Sequence, residues 1–530
     1  MSKNEPTLTS ANKAYSSYSE LFWVFVSVVV IYTFFYLKQP ALPGNDLAHP
    51  EGWWGWFDQG QYLREAKAFL HHDLNPANYF YPPLYPFFGA IFIALGLNQH
   101  PFFFIDGLAY GIFASLSFAV VRRYFSLFFT SAILAITVVF NGDVLENFAI
   151  PWTSSITCLA YAGSFFILAY QISAKNQLKS PSRVILSSTL MGLLFGLVAL
   201  TRPVDAALAP IFFLALLYIN STSTRHVSFN LRSGLLTSGI LGGIFLLAIA
   251  TLLIFNKWIF HAYFGGYFNS TVGESGYFPS ELFRKLFTLL RDGYTVNLER
   301  GSSLTTHFPW VILSGLGMIY AFVRRDLLLC TISLVILGQL CIYAPYGDLL
   351  PNGIWRFHNI HYFKWMFPFL GLLALFSLRE TFKKEGFRPR WRIPVKIFGL
   401  LVYLTAVMGV HYSQSTQDVK YVASTGPASI DLTMPKEPTD FIDIQGITGS
   451  FTSIYFGNHQ IMANGRPLEK VKDFRMLPAP WGIRIVFNKP TNVERMNLRG
   501  DPSLSYSSHY LVRRGTYYFS FGLPKLFLDK

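Results

Sequence analysis

Charge is what this chain lacks. Only 14% of its 530 residues are Asp, Glu, Lys or Arg, against about 25% in a soluble globular protein. So sparse a set cannot cover a water-soluble fold of this size. The 52% of hydrophobic residues excludes a disordered chain as well, because disordered chains lack the apolar side chains to collapse. Cysteine is scarce too. The three present, Cys158, Cys330 and Cys341, stand inside apolar runs, which excludes a disulfide framework or a zinc-ligand spacing. There is no Asp-x-Asp, no Gly-x-x-x-x-Gly-Lys and no His-Glu-x-x-His, so a nucleotide sugar held through a carboxylate-bound metal finds no support. His71-His72-Asp73 is a poor metal site, since adjacent histidines on a helix point apart. The sequence asks for no cofactor and leaves a divalent metal open.

What is present is apolar length and aromatic rings. Eleven runs approach the ~20 residues that a helix needs to cross ~30 Å of hydrocarbon. They are Leu21–Leu37, Phe102–Val121, Phe125–Phe140, Trp152–Tyr170, Val184–Leu200, Val204–Tyr218, Gly234–Phe255, Pro309–Val323, Leu327–Ala344, Tyr362–Leu378 and Ile393–Val410. The first lacks a basic n-region and a small-x-small cleavage site, so it reads as a retained anchor. The formal charge of +14 suits a membrane protein with basic cytoplasmic loops better than a nucleic-acid partner. The clusters at Arg122-Arg123, Lys175 to Arg183, Arg225 to Arg232, Arg324-Arg325 and Arg379 to Arg392 then share the cytoplasmic side. Pro83–Leu97 is short and opens on prolines, so it is expected at the outer interface rather than across the bilayer.

The expected architecture is all-α and polytopic, with about 11 transmembrane helices, a cytoplasmic N-terminus and a small C-terminal β-rich extracytoplasmic domain. The membrane domain takes residues 1–411, with the first outer loop at 38–101, and the C-terminal domain takes 412–530. Gly426–Lys530 is polar and carries strand-like stretches, Ile483–Phe487 and Tyr517–Phe521, with an Asn464-Gly465 turn. A bacterial plasma membrane is the expected location.

The first outer loop is the most informative stretch. In Trp53-Trp54-Gly55-Trp56-Phe57-Asp58-Gln59-Gly60-Gln61-Tyr62-Leu63-Arg64-Glu65-Ala66, a helix starting near Phe57 puts Asp58, Tyr62 and Glu65 on one face. Asp58 also suits the helix N-terminus, where Asp is a favoured cap; cap and chemistry are not exclusive. The tryptophans offer faces on which sugar rings could stack, although such a cluster is more often an interfacial belt. Arg202 follows an apolar run and precedes Pro203, so it either snorkels to the interface or faces a polar site. The stretch from Asn352 to Lys364 gathers Arg356, His358, His361 and Lys364, either as an anionic head-group site or as an aromatic-basic belt.

Asp58, Tyr62 and Ala66, followed by Tyr81-Pro82-Pro83-Leu84-Tyr85-Pro86, resemble the first-loop signature of the glycosyltransferase C superfamily. These are polyprenol-dependent membrane enzymes, and the likeness is to the protein O-mannosyltransferase and aminoarabinose transferase branch. Leu200-Thr201-Arg202-Pro203 and His361-Tyr362 through Pro368 resemble that family's middle and late spans. The resemblance implies transfer of a sugar from a polyprenyl-phosphate donor to an extracytoplasmic glycan, lipid or protein, with membrane lipid as the other partner. It implies Asp58 as general base, with Glu146 or Asp143 of the second outer loop as a further acid. It implies Arg202, Arg356, His358, His361 and Lys364 at the donor phosphate, and Tyr62, Glu65 and Trp56 against acceptor or sugar. Two departures stand out. The family's Asp-Glu pair is Asp58-Gln59 here, and its late Arg-Tyr is His361-Tyr362. The rival reading from another class is a transporter or a flippase of lipid-linked sugar.

Overall fold

The computed structural model describes residues 17–173, 181–221, 231–269, 277, 279, 282–290, 303–346, 349, 356–382, 410–424, 429–435, 437–448, 458–470, 472–479, 482–499 and 508–521. The chain divides into two compact units. The first comprises Met1–Tyr267, Leu313–Gln339 and Ile360–Lys384, and the second Phe268–Ile312, Leu340–Asn359 and Glu385–Lys530.

The first unit is helical. Helix α1 (Tyr18–Lys38) opens on a capping box in which Ser17 accepts from the Glu20 amide and Glu20 accepts from the Ser17 amide; it ends on Lys38, which complements the helix dipole. The chain then doubles back through Gly52, at φ +52°. A Cβ there would lie 2.3 Å from the Ala41 carbonyl, so only glycine fits. Helix α2 (Phe57–Leu70) and helix α3 (Leu84–Ala94) follow, packed on one another around Tyr62, Ala66, Tyr81, Tyr85 and Phe102. At 11 residues α3 is about 16 Å long, half of what a bilayer core requires.

Helix α4 (Phe103–Arg122) is followed by a broken segment: α5 (Leu127–Leu134), a π turn over Ala135–Val139, then α6 (Gly142–Ala149), bent by 57° from what precedes it. Asn141 causes the restart by accepting the Val144 amide as N-cap. Helices α7 (Ser154–Ser173) and α8 (Pro181–Thr201) come next. Pro203 cannot continue the α8 hydrogen-bond ladder, so Arg202 adopts φ −147° and the chain restarts as α9 (Pro203–Ala206) and α10 (Ala209–Ser221). Helix α11 (Leu231–Phe260) buries Gly234, Thr237, Leu241, Ala248, Leu252 and Ile259, one stripe at helical spacing, and exposes Leu235, Leu246, Leu247 and Ile254. That apolar outer face is what lipid solvates.

Among the described residues six helices are long and apolar enough to cross a membrane, or seven if the bent pair is one span. The protein is a multi-pass integral membrane protein. Helices Val311–Arg324, Leu327–Tyr343 and Phe367–Phe382 coincide with three further expected spans but have only 14, 17 and 16 residues. The run Ile393–Val410 lies outside the described residues, except that Val410 begins a strand.

The second unit carries an eight-stranded antiparallel sheet. Its strands are β1 (Val410–Ser424), β2 (Ser429–Thr433), β3 (Pro438–Thr448), β4 (Asn458–Ala463), β5 (Arg466–Pro467), β6 (Phe474–Ala479), β7 (Gly482–Arg499) and β8 (Ser508–Phe521). Strand β7 organises it. Its first half pairs with β3 and β6, its second with β2 and β4, so one strand joins two pairing groups, and one large apolar cluster draws side chains from both. The Asn464-Gly465 pair, with φ 51° and 72°, turns β4 into β5, as that dipeptide does in hairpins. The sheet starts ahead of Gly426 because β1 pairs with β8 from Val410 onward.

Candidate active site

Asp58 stands in the first turn of α2, half-buried, and one of its oxygens accepts the Tyr81 hydroxyl. Tyr81 is held in an aromatic stack. Its ring lies 4.5 Å from Tyr62 and 5.3 Å from Tyr267, while Tyr62 also meets Tyr85 edge-on at 5.3 Å. Tyr62 is buried and hydrogen-bonded with Thr153, in the field of both the Asp58 carboxylate and the Arg202 guanidinium. Glu65 has no exposed surface, and one oxygen accepts the Phe80 and Tyr81 amides, each at 2.7 Å. Burial pushes its carboxyl well above the ordinary glutamate range, against the pull of those two bonds. Trp56, by contrast, is exposed beside the start of α2.

Gln59 explains one departure from the family pattern. It is buried and its Nε2 donates to the Pro151 carbonyl at 3.0 Å. A glutamate has no hydrogen to give there at neutral pH. That bond docks α2 on the segment that organises the rest of the site.

The segment is Pro151–Thr157, the entrance to α7. Arg202 Nη1 donates to Thr153 Oγ1 at 3.1 Å, His361 Nδ1 lies 3.1 Å from Ser154 Oγ, and Lys364 Nζ donates to Ser155 Oγ at 3.1 Å. Three basic side chains from two distant parts of the chain thus meet three consecutive hydroxyls at one helix N-terminus. Each is further fixed. Arg202 Nε donates to Asp205 Oδ2 at 2.8 Å, and its guanidinium lies over the Tyr362 ring. Asp205 also accepts from Thr157 and Gln339. His361 stacks on Trp152 at 3.9 Å and 8°. Lys364 has no exposed surface, donates to the Asn147 carbonyl at 2.6 Å and sits 4.0 Å from the Phe148 ring centroid. Asp106, in the first turn of α4, accepts the Tyr85 hydroxyl at 2.8 Å and interacts electrostatically with Lys364.

The second loop is engaged elsewhere. Glu146 accepts from Gln39 Nε2 at 3.1 Å, at the end of α1, and the Asp143 carbonyl accepts from Asn147. His358, half-buried and at φ 57°, and Arg356 belong to the second unit, and the Arg356 side chain lies outside the described residues. Among the described residues no group of three His, Cys, Asp or Glu could hold a metal.

No family model and no curated protein matches the chain. Among solved structures, ArnT from Cupriavidus metallidurans bound to undecaprenyl phosphate is similar to it. The TM-score is 0.41 at 13% identity, over 74% of this chain and 64% of that one. This chain therefore spans less than two thirds of that protein's length.

Proposed function

We propose that this protein is a membrane glycosyltransferase of the glycosyltransferase C type, which moves a sugar from polyprenyl phosphate to a hydroxyl of a glycan, lipid or protein outside the cytoplasm. One observation carries the reading. The hydroxyls of Thr153, Ser154 and Ser155 gather Arg202, His361 and Lys364 at the N-terminus of a 20-residue helix, and Tyr62 links that cluster to Asp58. A helix N-terminus backed by basic side chains favours a phosphate. A carboxylate one aromatic ring away suits the other half of a group transfer.

The chemistry follows from that pairing. The acceptor hydroxyl attacks the anomeric carbon and a new carbon–oxygen bond forms. The bond from that carbon to the phosphate oxygen breaks, and polyprenyl phosphate departs with the electron pair. Asp58 takes the hydroxyl proton as general base, a role worth about 10²–10⁴-fold. Arg202, His361 and Lys364 stabilise the charge growing on the phosphate, where a low-dielectric surround strengthens each contact. Trp56 offers an exposed ring to a sugar beside α2. Asp143 and Glu146 remain the candidates for a second acid. The proposed location is a bacterial plasma membrane, with the C-terminal domain outside.

The test uses purified protein in lipid with radiolabelled sugars on polyprenyl-phosphate carriers, undecaprenyl phosphate first, and a membrane extract as acceptor. Transfer by the wild type, lost in Asp58→Asn with size-exclusion behaviour intact, is the expected result. Transfer that survives Asp58→Asn moves the base to Glu146 or Asp143. Carrier-linked sugar that crosses vesicle bilayers without turnover would replace the enzyme reading with a flippase.

A further inference from the structure

The backbone at 80–81 is gripped from both sides. Glu65 takes the amides of Phe80 and Tyr81, and the Tyr267 amide donates to the Phe80 carbonyl at 2.9 Å. Pro82 and Pro83 follow and fix φ on the C-terminal side. Tyr62, Phe80 and Tyr267 hold the Tyr81 ring at 4.5, 4.9 and 5.3 Å. All this fixing delivers one group, the Tyr81 hydroxyl on the Asp58 carboxylate. Glu65 itself is sealed from solvent, and among the described residues its second oxygen has no hydrogen-bond partner. A buried carboxylate is costly, and the hydrogen bonds it makes among the described residues are those to the two amides.

We propose that Tyr81 and Glu65 are positioning residues for the base: Tyr81 donates to one oxygen of Asp58 and so orients the carboxylate, while Glu65 keeps the phenol on station by holding the Phe80–Tyr81 backbone. The inference rests on Asp58 as the base, and it gives Glu65 a task other than contact with the sugar. Among the described residues, the titratable and charged groups around the Asp58–Tyr81 contact include Tyr62 from α2, Tyr267 beyond α11 and Arg202 from the α8–α9 break. Of these, Tyr81 donates directly to the carboxylate. A phenol bond stabilises the charged form of an acid, so its removal moves the protonation of Asp58 to higher pH.

The experiment follows the acid limb of transfer against pH for four variants, using the carrier-linked sugar and membrane extract described above. Tyr81→Phe is expected to move the limb up by about one pH unit, a roughly tenfold loss on its acid side, with donor KM unchanged. Glu65→Gln keeps an oxygen for both amides and is expected within about threefold of wild type, since it removes no bond to the backbone. Glu65→Leu is expected to reproduce the Tyr81→Phe limb. Asp58→Asn separates the two ideas: transfer that survives it removes the base and this inference together. An inactive Asp58→Asn beside an unmoved limb in Tyr81→Phe keeps the base and overturns the inference. A Glu65→Gln as impaired as Glu65→Leu overturns the assignment of Glu65, because a chemical role for the acid would then be required. The same shift is read without turnover from the infrared carbonyl stretch that vanishes in Asp58→Asn. Should Glu65→Leu fail to fold, the two near-isosteric changes, Tyr81→Phe and Glu65→Gln, decide.

Discussion

Asp205→Asn tests the buried pair beneath the site. Arg202 and Asp205 have side chains only 4% and 2% exposed. Asp205 Oδ2 accepts from Arg202 Nε at 2.8 Å and Thr157 Oγ1 at 2.7 Å, and Oδ1 accepts from Gln339 Nε2 at 3.2 Å. Asparagine keeps the shape and loses both charge and one acceptor. If its nitrogen replaces Oδ2, it faces the Arg202 donor. If it replaces Oδ1, it faces Gln339 Nε2, which cannot simply flip because it also donates to the Tyr362 carbonyl. Either way a donor meets a donor and the guanidinium loses the Asp205 carboxylate, a loss that costs about 3–5 kcal/mol in a buried pair. Graded SDS unfolding in mixed micelles measures that loss. Replacing both partners, as Arg202→Met with Asp205→Leu, removes the stranded charge, so stability is expected to return to within about 2 kcal/mol of wild type while sugar transfer stays absent. A single-variant loss below about 1 kcal/mol, the range of an exposed ion pair, would refute the buried pair. A double variant no better than Asp205→Asn would refute the uncompensated charge as the cause. Transfer at the wild-type level in the double variant would take Arg202 out of the phosphate site.

Three further outcomes are expected. Gln59→Glu puts a carboxylate against the Pro151 carbonyl in place of a donor, at a cost of roughly 1–3 kcal/mol; transfer falls with it, whereas unchanged stability and transfer would show that Gln59 does not dock α2. Gly89→Ala sets a methyl 2.6 Å from the Phe102 ring and 3.1 Å from Ala66 Cβ, an overpacking worth about 1–3 kcal/mol, read in the same SDS titration; a neutral result would mean α2 and α3 are not so close. The third concerns pH. Because burial raises the Glu65 carboxyl in the fold, the native state binds more protons than the unfolded one. Its contribution to stability is therefore largest below the unfolded value of about 4.3 and declines as pH rises toward the folded value. Glu65→Gln cannot ionise, so the slope should flatten. Amide exchange at Phe80 and Tyr81, corrected for intrinsic rate, follows it, and an unchanged slope would contradict the buried acid.

Local signals were readable and non-local ones were not. Helix α2 starts at Phe57, as the spacing of Asp58, Tyr62 and Glu65 leads one to expect, with Asp58 in its first turn and Trp56 at the N-cap position. The shared face of Asp58, Tyr62 and Glu65 has a different use from the one its polarity suggests: the last two turn inward, and only Asp58 keeps partial access. Asp106 hides within an apolar run, where one of its oxygens accepts from a tyrosine 21 positions away. The hub at Pro151–Thr157 was out of reach because its partners lie 49, 207 and 209 positions distant. Its signal is still visible in hindsight: Thr153-Ser154-Ser155 and Thr157 place four hydroxyls at the head of an apolar run, where one would serve as a cap. Gln59 was legible only as a missing carboxylate, since the carbonyl it serves is 92 residues on. The β-rich C-terminal part was plain from its alternation and turns, but the double pairing of β7 is a long-range choice that no local pattern encodes.

The placement of the buried ions favours the proposed transferase over a carrier. A carrier of charged cargo needs ionisable groups along its route, commonly near the bilayer midplane on broken helices. In the first unit, Asp106 lies in the first turn of α4, Arg202 and Asp205 at the α8–α9 break, and Lys364 just ahead of helix Phe367–Phe382. At the far end of that last helix, Glu380 is buried between Arg324 and Arg379 at 2.8 and 3.3 Å. Between these sets, residues 107–121 of α4 and all of α7 contain no Asp, Glu, Lys or Arg. Ions at the two ends of such helices, with an apolar stretch between them, can grip a phosphate at one surface and fix the helices at the other, and among the described residues α4 and α7 offer a head group no charged relay. Reconstituted vesicles loaded with a fluorescent carrier-linked sugar should therefore show no protein-dependent crossing, while an acceptor supplied on one face should be glycosylated. Crossing at a rate that matched or exceeded transfer would overturn that separation and return the broken helix at Pro203 to the role such breaks have in transporters.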